Sequence, residues 1–199
     1  MLTLRCTALS ALALTLALGT SGCVGDESDL IDSNVAAVSG HHDPPPPPVS
    51  SVTQLPDGRF RFVSTAIVAA PVGRVWTVIR DIEQVVQIAL PGIASDFTWV
   101  NGGSAQRVPS EFQFAALGAT VHEEVFDRSV PERTLRYRLV VPALGLQTYV
   151  GTMQVEHMNQ GRSRLTFSRD IRFDDPASAP SFATLFEQEI ASLQAHFND

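Results

Sequence analysis

Between residues 93 and 173 the chain repeats one pattern: a run of strand-forming residues, a short turn, and the next run. Turn residues such as Asn101-Gly102-Gly103 and Asn159-Gln160-Gly161 separate the runs. Strands this close in sequence pair antiparallel, because a parallel pair needs a crossover of about a dozen residues or more. The pattern therefore predicts an antiparallel meander, with strands over Ile93–Val100, Ala105–Ala115, Ala119–Arg128, Arg133–Val141, Leu146–His157 and Ser163–Phe173.

The segments on either side of the meander predict one more strand and three helices. Arg59–Ala69 is rich in β-forming residues and predicts a preceding strand. Apolar residues at helical spacing then predict two short helices, the first starting at Pro71 and the second capped by Asp81. Pro180–Phe197 carries a broad apolar stripe, about five turns long, that only Glu189 interrupts.

The long C-terminal helix is expected to lie across the sheet, because one face of the sheet must be covered. We predict an α+β fold in which a seven-stranded, curved antiparallel sheet surrounds this helix, with the two short helices after the first strand. A curved sheet around a single helix leaves space between them. That space is the predicted ligand cavity.

The first 23 residues have the order of a secretory signal. Arg5 provides a positive charge, Leu9–Leu18 is a short apolar run, and small residues lead to Cys23. The apolar run is too short to span a bilayer, which needs ~20 residues. The Thr-Ser-Gly-Cys sequence resembles a bacterial lipobox, although Thr20 stands where that motif usually has an aliphatic residue. The resemblance implies removal of residues 1–22 and lipidation of Cys23, with plain secretory cleavage as the alternative.

Residues 23–51 are predicted to be the lipidated cysteine and a disordered, proline-rich tether. The stretch after Cys23 has no aromatic residue, and Pro44–Pro48 favours a polyproline II rod. All aromatic residues of the chain lie between Phe60 and Phe197. This change of composition predicts a single folded domain over residues 52–199.

The beginning of this domain resembles a known superfamily, the START-like or Bet v 1-like proteins, also called SRPBCC proteins. The matching residues are Ala70-Pro71, Val75-Trp76, Asp81, Leu90-Pro91, His122–Asp127 and Leu135-Arg136-Tyr137. The resemblance implies a helix-grip fold with an internal apolar cavity. Members of the superfamily include lipid carriers, plant hormone receptors, polyketide cyclases and aromatases.

Strand alternation selects the residues that could meet a ligand. Arg169 interrupts the apolar row of its strand, and a guanidinium that faces a cavity needs an anion or several hydrogen-bond acceptors. Three arrangements would each satisfy the guanidinium. It could bind a ligand carboxylate or phosphate, form an ion pair with Glu123 or another acid, or lie at the end of its row where water reaches it. Tyr137 either orients a ligand through its hydroxyl or packs in the core. The predicted ligand-binding residues are Arg169, Tyr137, Glu123, Phe112, Phe114, Phe167 and Phe186.

Composition argues against several classes of function. The chain has 14 basic residues, all of them arginine, against 21 acidic residues, and its net charge is −7. An acidic chain without a basic run is a poor nucleic-acid binder. Without lysine, neither Schiff-base chemistry nor a Walker-type phosphate loop is available. The sequence contains no triad order and no metal-ligand spacing, so we predict no catalytic residue, metal or cofactor.

These features predict a membrane-anchored extracytoplasmic protein that binds or carries a hydrophobic small molecule or lipid in an internal cavity. The expected location is the bacterial cell envelope, with the lipid anchor in the outer membrane and the domain facing the periplasm or the surface. Two alternatives remain open. One is an enzyme similar to a polyketide cyclase or aromatase, and the other is a structural lipoprotein that binds a protein partner.

Overall fold

The computed structural model describes residues 44–159 and 161–199. The predicted signal peptide, residues 1–22, lies outside the described residues, as do Cys23 and the predicted tether up to residue 43. No helix in the described part of the chain is both long enough and apolar enough to cross a membrane.

One antiparallel sheet of eight strands forms the body of the domain. The strands are β1 (Val49–Gln54), β2 (Phe60–Val68), β3 (Ala94–Val100), β4 (Ser110–Ala116), β5 (Ala119–Ser129), β6 (Thr134–Leu139), β7 (Leu146–His157) and β8 (Ser163–Phe173). The helices are α1 (Val72–Ile79), α2 (Ile82–Ala89) and α3 (Ala179–Asn198), and a short 3₁₀ turn covers Pro176–Ser178. The strand order β1-β2-β8-β7-β6-β5-β4-β3 confirms the predicted meander and the α+β helix-grip arrangement.

The sheet has one strand more than the seven predicted. β1 pairs with β2 from Val49 opposite Thr65 to Gln54 opposite Phe60, so the sheet begins within the range assigned to the tether, residues 23–51. Alternation of polar and apolar residues could not reveal β1, because this edge strand exposes almost all of its side chains. Backbone hydrogen bonds to β2, rather than burial, hold it in the sheet.

α3 lies across the sheet and packs against β2 and α2. The Phe62 ring of β2 meets the Phe186 ring of α3 edge to face, with 5.1 Å between the ring centroids. Near the other end of α3, the Gln194 side-chain amide donates to the carbonyl oxygens of Ile67 and Pro46, each at 2.8 Å. The helix is therefore held to β2 at Phe186 and at Gln194, and the predicted proline rod contacts α3 at Pro46.

α2 forms a second helical wall over the sheet. The Asp81 carboxylate accepts a hydrogen bond from the Glu83 backbone N–H at 3.2 Å, which confirms Asp81 as the N-cap. The Glu83 carboxylate in turn accepts from the Trp99 indole N–H of β3 at 3.2 Å. These contacts turn the apolar side of α2 inwards, and that side carries Ile82, Val85, Val86 and Ala89.

Candidate functional site

A cavity of about 90 Å³ lies between the sheet, α2 and α3. Its walls are mostly apolar, with α2 on one side, Phe182, Leu185 and Phe186 of α3 on another, and the strands β4 to β8 behind them. The volume is below the ~150 Å³ of an apolar cavity that admits benzene. The structure therefore has the predicted internal space, and a ligand larger than a small ring requires the walls to part.

The cavity reaches the surface at one end of the sheet. Leu117, in the β4–β5 turn, lines the cavity and is also 64% exposed. Leu144 of the β6–β7 loop and Ile93, just before β3, line the same end. Turns and loops therefore frame the opening, and such connections move more readily than the strands they join.

Arg169 of β8 is the centre of a polar cluster inside these apolar walls. Its side chain is only 2% exposed. The guanidinium Nε donates to the Tyr149 hydroxyl at 2.9 Å, and Nη2 makes a very short contact with the Glu189 carboxylate of α3. The charge also lies over the Phe186 ring, 4.1 Å from its centroid. The third nitrogen, Nη1, has no hydrogen-bond partner among the described residues and is almost inaccessible to water.

Burial and charge pairing oppose each other in this ion pair. Burial disfavours the Arg169 charge, but Glu189 and the two tyrosines nearby hold the pKa of Arg169 above its ordinary value. Burial raises the pKa of Glu189, and the Arg169 charge partly offsets that rise. Because each charge compensates the other, the pair can exist in an apolar interior.

The two tyrosines extend the cluster across β6 and β7. The hydroxyls of Tyr137 and Tyr149 are hydrogen-bonded to each other at 2.9 Å. Gly151 of β7 pairs with Tyr137 of β6 on one side and with Arg169 of β8 on the other. A Cβ atom at Gly151 would lie 2.3 Å from Cζ of the Tyr137 ring. Only glycine leaves room for that ring, so Gly151 shapes the site without a side chain.

Glu123 of β5 adds a carboxyl group to the same cavity. It is 7% exposed, and among the described residues its pKa is set by burial and by the charges of Glu189 and Arg169, with no hydrogen bond to the carboxyl. Burial, followed by repulsion from Glu189, raises the pKa of Glu123 from 4.5 to about 8, against the opposing attraction of Arg169. At neutral pH this carboxyl is therefore mostly protonated and can donate a hydrogen bond.

Six of the seven predicted site residues line the cavity: Arg169, Tyr137, Glu123, Phe114, Phe167 and Phe186. Phe112 does not. It is fully buried and stacks with the rings of Phe97 and Phe114, at 5.3 and 6.2 Å between centroids. Of the alternatives for Arg169, the structure shows an ion pair, and its partner is Glu189 rather than Glu123.

Tyr149, Glu189 and Gly151 are site residues that the sequence analysis did not select. An irregularity in β7 between Leu146 and Thr148 puts Leu146 and Tyr149 on the same face, so alternation counted forward from Leu146 places Tyr149 outside. Counting back from Met153 would have placed it inside. Glu189 was visible as the one acid in the apolar stripe of α3, which is a signal for a buried partner.

A family match covers the whole cavity. Residues 59–198 match the family described as polyketide cyclase / dehydrase and lipid transport. The chain belongs to this family. Its description implies binding of hydrophobic small molecules or lipids, which agrees with the mostly apolar walls. No curated protein matches the chain.

Solved structures share the fold of this family member at low sequence identity. A protein from Nitrosospira multiformis is 20% identical with a TM-score of 0.58, over 70% of this chain and 97% of that one. XoxI from Bacillus cereus is 18% identical with a TM-score of 0.59, over 69% and 94%. A protein from Thermobifida fusca is 17% identical with a TM-score of 0.59, over 69% and 92%. With the family match, these likenesses establish the START-like, Bet v 1-like fold.

Replacing Gly151 by alanine tests whether the absent side chain shapes the site. Gly151→Ala forces the Tyr137 ring out of place and separates the two tyrosine hydroxyls, so we expect the free energy of unfolding to fall by about 1–3 kcal/mol. Gly73→Ala in α1 is the matched control. Its Cβ would meet no atom within 4 Å, and we expect a gain of about 0.5 kcal/mol. Urea denaturation measures both changes. A Gly151→Ala protein as stable as the wild type contradicts the assignment.

The raised pKa of Glu123 predicts how stability depends on pH. The folded protein keeps the Glu123 proton up to about pH 8, whereas the unfolded chain releases it near 4.5. The folded state thus binds more protons in this window, and the free energy of unfolding falls as pH rises through it. Glu123→Gln should make this decline shallower in urea denaturations at pH 5, 6.5 and 8.5. An equal decline in both proteins would contradict the assignment.

Proposed function

We propose that this protein binds or carries a hydrophobic small molecule or lipid in its cavity, outside the cytoplasm and held to a membrane by lipid on Cys23. The observation that carries the proposal is a mostly apolar cavity whose lining includes a buried guanidinium with one unused donor nitrogen. Apolar walls favour a hydrophobic occupant at roughly 25 cal/mol per Å² removed from water. A buried donor without a partner favours an occupant that also carries an acceptor.

The size of the cavity bears on how the ligand enters. About 90 Å³ does not hold an acyl chain, so a lipid would need the opening beside Leu117 and Leu144 to widen. Both residues lie between regular elements, in a turn and a loop with positive φ angles of 50° and 55°. A carrier needs a rim that can open, because its ligand must both enter and leave.

The N-terminal sequence supports the location. Residues 1–22 have the order of a signal peptide, and Cys23 follows the small residues that resemble a lipobox. A lipidated cysteine bearing several acyl chains anchors a protein stably. We place the domain in the bacterial cell envelope, on the outer membrane and facing the periplasm or the surface.

Glu123 favours a second candidate function, an enzyme acting on an enolizable substrate in the manner of a cyclase or aromatase. A buried carboxyl whose pKa is raised to about 8 is suited to proton transfer near neutral pH. Exchange of α-hydrogens of a bound ketone for deuterium, followed by NMR, separates the two functions. An enzyme accelerates this exchange and loses the acceleration in Glu123→Gln, whereas a carrier does not accelerate it.

Filling the cavity should abolish retention of the natural ligand. Ala89 of α2 lines the cavity and is 5% exposed, so Ala89→Phe places a ring in the ligand's space. Ala195→Phe makes the same change on the exposed side of α3 and is the control. We expect the full-length wild type and Ala195→Phe to release the same compound on solvent extraction, and Ala89→Phe at least about tenfold less. Mass spectrometry of the extracts measures this.

Two outcomes of that experiment would contradict the proposal. One is recovery of the same compound in the same amount from the folded Ala89→Phe protein. The other is recovery of no compound from the wild type in several expression hosts. Circular dichroism of each variant establishes that the comparison is made between folded proteins.

The lipid anchor is tested by metabolic labelling with palmitate. We expect label in the wild type and in Cys6→Ala, whose substitution lies in the predicted signal peptide, and none in Cys23→Ala. The N-terminal peptide of the mature protein should begin at residue 23 and carry the acyl mass. Label that persists in Cys23→Ala would exclude this residue as the lipidation site.

A further inference from the structure

The polar groups of the cavity leave only a few hydrogen-bonding positions for a ligand. The hydroxyls of Tyr137 and Tyr149 are bonded to each other, and Tyr149 also accepts from Nε of Arg169. One carboxylate oxygen of Glu189, Oε2, accepts from Nη2 of the same guanidinium. Among the described residues, Nη1 of Arg169 has no acceptor, and the Glu123 carboxyl is affected by burial and by the charges of Glu189 and Arg169 but by no hydrogen bond. Two of the groups left for a ligand are therefore donors, Nη1 of Arg169 and the protonated Glu123 carboxyl, and the second oxygen of Glu189 is an acceptor.

The charges of the cluster cancel before any ligand enters. The positive charge of Arg169 is balanced by Glu189, its ion-pair partner. Glu123, whose pKa burial raises to about 8, adds no full charge at neutral pH. An added carboxylate would bring an uncompensated negative charge into an apolar enclosure beside two acidic residues. A neutral oxygen could accept from Nη1 without that electrostatic cost once the cavity walls part, since Nη1 is almost inaccessible to a water-sized group in the closed cavity.

We propose that the cavity selects a neutral, largely apolar molecule with one carbonyl-type oxygen, which accepts a hydrogen bond from Arg169, over carboxylic acids of similar size. This inference rests on the proposed binding function and narrows its ligand class. It excludes fatty acids and other acidic lipids as preferred occupants. The cavity volume of about 90 Å³ further favours a small molecule, or the small polar end of a larger one.

Three small probes separate these possibilities in the full-length protein. Cyclopentanone carries the neutral acceptor, methylenecyclopentane is its hydrocarbon isostere, and cyclopentanecarboxylate carries the charge. Met153 lines the cavity and Met158 does not, so ¹³C-labelled methionine methyl groups provide a reporter and an internal control for NMR titrations. At pH 7 we expect cyclopentanone to bind at least about tenfold more tightly than the carboxylate.

A variant without the guanidinium tests the role of Arg169. The double variant Arg169→Met/Glu189→Leu replaces the ion pair with apolar side chains, and Arg169→Lys keeps the charge but removes Nη1. The ratio of the hydrocarbon's dissociation constant to the ketone's should fall about tenfold or more in each variant that folds. The full-length protein carries the proposed lipid and is kept in detergent, so part of each probe dissolves in the micelles. This loss is the same for the wild type and the variants, so it cancels when their ratios of dissociation constants are compared. In the wild type, only the ketone should shift the Arg169 side-chain ¹⁵N resonances.

The outcomes distinguish this inference from the proposed function. If the hydrocarbon and the ketone bind but the ratio of their dissociation constants is unchanged by loss of the guanidinium, the cavity binds ligands and the role of Arg169 is overturned. If the carboxylate binds the wild type as tightly as the ketone, the preference for neutral ligands is overturned. If no probe moves the Met153 resonance, the hydrophobic binding function itself fails. If neither variant folds, the wild-type affinities and the Arg169 resonances decide.

Discussion

An arginine enclosed by apolar side chains is the constraint on which the rest of this structure depends. Arg169 projects from the middle of β8 into the interior, where a lone charge would not be tolerated. Glu189 of α3 provides the counter-charge, so the ion pair joins the sheet to the helix that covers it. Breaking such a pair by removing one partner costs about 3–5 kcal/mol, because the other charge stays buried. The pair therefore adds a contact from α3 to β8 to those that hold the helix to β2.

The second constraint is steric and comes from a residue without a side chain. Gly151 lies between Tyr137 and Arg169 in the sheet, and the Tyr137 ring occupies the space that a Cβ would take. This lets two tyrosines and one arginine share a small part of the sheet with their polar atoms in contact. The buried charge of Arg169 and the steric contact between Gly151 and Tyr137 thus lie on three neighbouring strands, β6, β7 and β8.

The fold could be predicted from sequence because its signals are local. Turn residues and alternation marked the strands from β3 to β8, and the stripe of Pro180–Phe197 marked α3. β1 was not predicted, because an exposed edge strand has no alternation of apolar and polar residues. Within the site, alternation placed Arg169 and Tyr137 correctly on the cavity side. It placed Phe112 on the correct face of its strand, but could not tell a cavity wall from the packed core beside it.

Turn residues and alternation could not predict the contacts between elements. The sequence of β8 does not indicate that Arg169 pairs with Glu189. The two residues lie on different elements, and their contact depends on how α3 packs on the sheet. Gly151 shows the same limit, because its role exists only once β6 lies beside it. Periodicity tells which face a residue occupies, whereas pairing across the interior is a property of the assembled domain.

The attachment of Pro46 to Gln194 has a consequence for access. Gln194 also holds Ile67, near the end of β2 where Val68 pairs with Ser163, and the cavity opens at the other end of the sheet, beside Leu117. Residues 44–48, where the described part of the chain begins, are therefore attached at the end of the sheet opposite the cavity opening. Substitutions in residues 44–48 therefore act on the end of the domain away from the opening, and the residues that frame the opening lie outside their contacts.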